Sequence, residues 1–90
     1  MTVRISITKM NSGRMQICCA RPGSSGYVIT YAAADAKADV TKALLALGIS
    51  AATINGTLDM LADFGPDEML QVEERDIPDD VLHANGFIAV

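Results

Sequence analysis

The sequence predicts an α+β fold, and three observations carry that reading. The first thirty residues fall into segments that alternate apolar and polar side chains. An Ala-rich stretch with helical spacing follows. After it come one more alternating segment and the signature of a short helix. The expectation is one domain over residues 1–90, with a small antiparallel sheet of about four strands in the order ββ β αα β α. A two-helix hairpin packs on one face of that sheet.

The first strand is expected over residues 2–8, where Val3, Ile5 and Ile7 alternate with Arg4, Ser6 and Thr8. Lys9 to Gly13 supplies turn residues, and residues 14–20 follow as a second strand with Met15, Ile17 and Cys19 on one side. The short link makes the two a hairpin. Arg21-Pro22-Gly23-Ser24-Ser25-Gly26 reads as a loop by local propensity. Tyr27 to Tyr31 is β-branched and aromatic, so it reads as a third strand.

Helices are expected over about 34–47 and 51–64. In the first, Val40, Ala43, Leu44 and Leu47 make one apolar stripe, Asp35 and Asp39 suit its positive N-terminal end, and Gly48 stops it. In the second, Ser50 is the N-cap and Ile54, Leu58 and Leu61 form the stripe, with Asn55, Asp59 and Asp63 on the polar side. Gly56 costs about 1 kcal/mol inside a helix, so a close packing contact is expected there. Gly65-Pro66 ends that helix. Residues 69–75 read as a fourth strand, with Leu70 and Val72 inward and Gln71, Glu73 and Arg75 outward, suited to a sheet edge. Pro78, Asp79 and Asp80 open a short helix that Asn85-Gly86 closes, with Ile77 stapled onto Val81 or Leu82. The apolar tail from Phe87 to Val90 docks on the core or adds a short strand.

Ninety residues suffice for one small core, built here without Trp and with half the chain apolar. The start lacks a signal-peptide run, and Ala43 to Ile49 is too short to span a bilayer, so no membrane partner and a cytoplasmic location are expected. The net charge of −4 disfavours general nucleic-acid binding. Six Lys and Arg against two Asp leave residues 1–42 at +4, while Arg75 against nine carboxylates leaves residues 43–90 at −8. Either the halves interleave in space, or the molecule has oppositely charged ends suited to association.

Four groups of residues invite a chemical reading. Ala43, Leu47, Gly48, Ile49, Ser50, Thr53 and Ile54 resemble a helix-turn-helix, which implies a second helix that reads base edges in the major groove. Leu44 and Thr57 depart from that pattern. Ala51 to Phe64 has no Lys or Arg and carries Asp59 and Asp63, so it repels phosphate. The preferred reading is a helical hairpin. Cys18, Cys19 and His83 are too few for a zinc site, and neighbouring strand residues point to opposite faces. The segment Arg21 to Gly26 offers backbone amides beside an Arg but lacks the phosphate-loop signature. The acidic set Asp67, Glu68, Glu73, Glu74, Asp76, Asp79 and Asp80 has neither a nucleophile nor a calcium-loop pattern beside it.

No catalytic, metal-binding or cofactor residue is assigned. The expected function is a non-enzymatic interaction or regulatory module that contacts another protein or itself, with a homodimer as one form. A helix-turn-helix-like nucleic-acid-binding domain is the alternative. The expected contact surface comprises Arg14, Arg21, Ser24, Ser25, Asn55 and Asp59.

Overall fold

A computed structural model of the chain describes residues 2–90, with Ser24 described by its backbone alone. Along the chain run β1 (Thr2–Lys9), β2 (Met15–Arg21), β3 (Ser24–Tyr31), a 3₁₀ turn (Ala33–Asp35), α1 (Ala36–Ala46), α2 (Ala51–Leu61), β4 (Met69–Asp76), α3 (Asp79–Ala84) and β5 (Ile88–Ala89). The strands form one antiparallel sheet in the order β4-β1-β2-β3-β5. The fold is α+β as expected, with five strands among the described residues. The fifth comes from the apolar tail.

Alternation decides which side of the sheet is buried. Ile5 pairs with Cys19 and Cys19 with Tyr27, while Ile7 pairs with Ile17 and Ile17 with Ile29. Val3, Ile5, Ile7, Ile17 and Cys19 have no exposed surface. Their core also takes in Val40, Ala43, Leu44 and Leu47 of the first helix and its cap, Ile54 and Leu61 of α2, and Leu82 of α3. All three helices therefore cover one face. The opposite face carries Thr2, Arg4, Ser6, Thr8, Gln16, Cys18, Val28 and Thr30, and no described element lies over it. The result is two layers with one bare sheet face.

Helix ends follow local chemistry. In α1 the N–H of Ile49 donates to Leu44 O and that of Gly48 to Leu45 O, while Gly48 takes φ +91°. This paired bonding satisfies carbonyls that the helix itself leaves open, and both Leu44 and Ile49 are buried. The end of α3 repeats it, with Phe87 N–H on Leu82 O, Gly86 N–H on His83 O, and Gly86 at φ +86°. Ser50 Oγ accepts from the Thr53 N–H at 3.2 Å and so caps α2.

Five expectations need correction. The Arg21 to Gly26 loop is a tight turn at Pro22-Gly23, and Ser24 to Gly26 already belong to β3. Gly23 supplies the positive φ that closes it. Gly26 is required because a Cβ there would collide with the backbone of Cys19 and Ala20. The first helix starts at Ala36, since residues 33–35 wind as a 3₁₀ turn, and the second stops at Leu61, with Phe64 in the following loop. The close contact expected at Gly56 does not exist, because the space around it is open. Thr57 is buried on the inner stripe of α2, beside Ile54 and Leu61, and its hydroxyl donates to Thr53 O at 2.8 Å.

The fifth correction is a bulge in β4. Ser6 pairs with Gln71, but Ile5 pairs with Glu73, so Val72 is an extra residue on the edge strand. Beyond it the alternation shifts. Glu73 and Arg75 stand opposite Ile5 and Val3 on the helix-covered side, not outward. They pair with each other at 3.1 Å. The Arg75 guanidinium then reaches the α1–α2 turn, where a Cβ on Gly48 would lie 3.1 Å from its Nη2.

Candidate functional site

The densest polar cluster sits where β2, β3 and α3 meet. Arg21, the last residue of β2, donates from Nη1 to both carboxylate oxygens of Asp79, at 3.3 and 3.1 Å. Asp79 is in the first turn of α3, where the helix dipole favours a negative charge. The Arg21 guanidinium carbon lies 5.3 Å from the centre of the Tyr27 ring. The Tyr27 hydroxyl is 3.2 Å from His83 Nε2, and the two rings meet edge to face at 5.1 Å. Four side chains thus form a chain, Asp79–Arg21–Tyr27–His83, along one rim of the helix-covered face.

This arrangement clips α3 to the sheet. Tyr27 is buried, Arg21 is partly buried, and His83 is exposed. Acid–base chemistry needs a substrate-sized space beside the titrating groups. Hollows in the described surface include three that His83 and Asp79 do not line, one of which Arg21 does line. One of about 80 Å³ lies between Arg4, Arg21, Glu74 and the Pro22 turn. One of about 440 Å³ lies between the β1–β2 turn and the start of α1. The third, about 310 Å³, opens between β3 and α1. Within it, burial and then the charge of Asp39 push the Tyr31 phenol up from its ordinary range.

The two thiols behave as neighbours on a strand must. Cys19 faces the core with no exposed surface, and Cys18 lies half-buried on the bare face. Burial, helped by the neighbouring Cys18, pushes the Cys19 thiol up to about 12, and burial also raises Cys18. A raised pKa means less thiolate and a slower nucleophile. Among the described residues no three His, Cys, Asp or Glu gather closely enough to hold a metal ion.

The acidic set is dispersed. Glu74 pairs with Arg4 across β1 and β4 at 3.2 Å, Glu73 with Arg75, and Asp79 with Arg21. Two of these three pairs join the basic first half of the chain to the acidic second half, so the halves interleave. The expected contact residues are likewise spread out. Arg14 is exposed at the β1–β2 end of the sheet. Arg21 and Ser25 lie near the β2–β3 turn at the other end, while the Ser24 side chain lies outside what is described. Asn55 and Asp59 are exposed on the outer side of α2. The structure does not gather the five whose side chains are described into one patch.

What sequence reasoning missed is the partnership of Tyr27 with His83 and of Arg21 with Asp79. These pairs are 56 and 58 residues apart, and no local spacing announces them. Among the described residues no helix is long and apolar enough to cross a membrane. Comparison with known proteins finds no match among family models, curated proteins or solved structures. The class that the geometry defines is a two-layer α+β domain with one bare sheet face.

Proposed function

We propose that this chain is a non-enzymatic interaction module that works by contact with another protein or with a second copy of itself. The observation that supports this reading is the bare sheet face. Ser6 and Cys18 at its centre are buried or half-buried, and its β5 corner presents Ile88 and Val90, 69% and 67% exposed, beside Val28. Exposed apolar side chains grouped at the edge of an uncovered sheet face gain from being covered. The polar residues described above are engaged with one another along the rim, which supports a structural use for them.

Light scattering across a concentration and salt series tests self-association. The expected result is a mass above the 9.5 kDa of one chain, lowered by Ile88→Glu. A chain that stays monomeric at high concentration in both low and high salt overturns the homodimer form of the proposal. Nucleic-acid binding is the second reading, because α1 and α2 do form a hairpin with a Gly48 turn and a Ser50 cap. The exposed positions of α2 include Asn55 and Asp59 and no cation, and Asp63 follows in the turn after it. Random duplex at low salt is therefore expected not to bind, and tight binding would favour this second reading.

A further inference from the structure

We draw no further inference here: the strongest candidate, the notch between the outer edge of β3 and α1 lined by Ile29, Tyr31, Asp39, Lys42 and Asn85, sets one positive and one negative side chain on half-apolar walls, and nothing in the structure shows what covers it.

Discussion

Cys19 ties stability to alkaline pH. Its thiol titrates near 12 in the folded chain against an ordinary 9.0. Below pH 9 the proton is bound in both states, and the contribution of the buried neutral thiol is fully present. Between 9 and 12 only the unfolded chain releases the proton, so stability falls, by at most about 1.4 kcal/mol per pH unit. Urea midpoints from pH 8 to 11 are expected to drop more steeply for the wild type than for Cys19→Ala, and equal slopes would contradict the assignment. Two glycines make an opposite pair. Gly56→Ala fills open space in a helix and is expected to raise stability by about 0.5–1 kcal/mol. Gly26→Ala drives a methyl group into the Cys19 and Ala20 backbone and is expected to cost about 2–3 kcal/mol. Chemical denaturation of the two variants reads both signs in one experiment.

At the next scale, α3 shows which forces hold an element in place. Its polar rim offers the Arg21–Asp79 pair, with side chains 22% and 42% exposed. Solvent screens such a pair, so Asp79→Ala is expected to cost about 1 kcal/mol or less. Leu82 has no exposed surface, and Leu82→Ala is expected to cost about 2–5 kcal/mol. Apolar packing thus docks the helix, and the polar chain orients it. If a denaturant series ranked Asp79→Ala above Leu82→Ala, that order of forces would be wrong. Elements of this kind were legible in the sequence wherever side-chain period matched backbone period. Strands β1 and β2, the stripes of α1 and α2, and the Gly48 and Gly86 stops all announce themselves locally. The start of β3 did not, because Pro22-Gly23-Ser24-Ser25-Gly26 has loop propensity throughout. Only the close approach to Cys19 shows why Gly26 belongs in a strand. The bulge at Val72 was hidden for a different reason. An extra residue is defined by its partner strand, and β4 alone alternates plausibly in either phase. The cluster of Arg21, Tyr27, Asp79 and His83 depends on strand order, which local patterns do not encode.

For the molecule as a whole, the sheet has two borders, β4 on one side and the short β5 on β3 on the other, and they are protected differently. β3 is covered along part of its length by β5, which pairs with Tyr27 and Val28. β4 has no described neighbour on its outer side, but it carries Glu73, Glu74 and Asp76 and is bent by its bulge. Charge and irregularity are both means of discouraging further strand pairing. The supernumerary valine therefore acts as a spacer. Excising Val72 would leave Gln71 against Ser6 and Glu73 against Ile5 with every side chain still on its present side, and the ladder would run on unbroken. The shortened protein is expected to fold, at a cost from the lost packing of one half-buried side chain. It is also expected to turn cloudy on standing sooner than its parent, because a straight border invites another chain to lie alongside. Turbidity that developed no faster in the deletion variant would show that the acidic side chains alone keep the border closed.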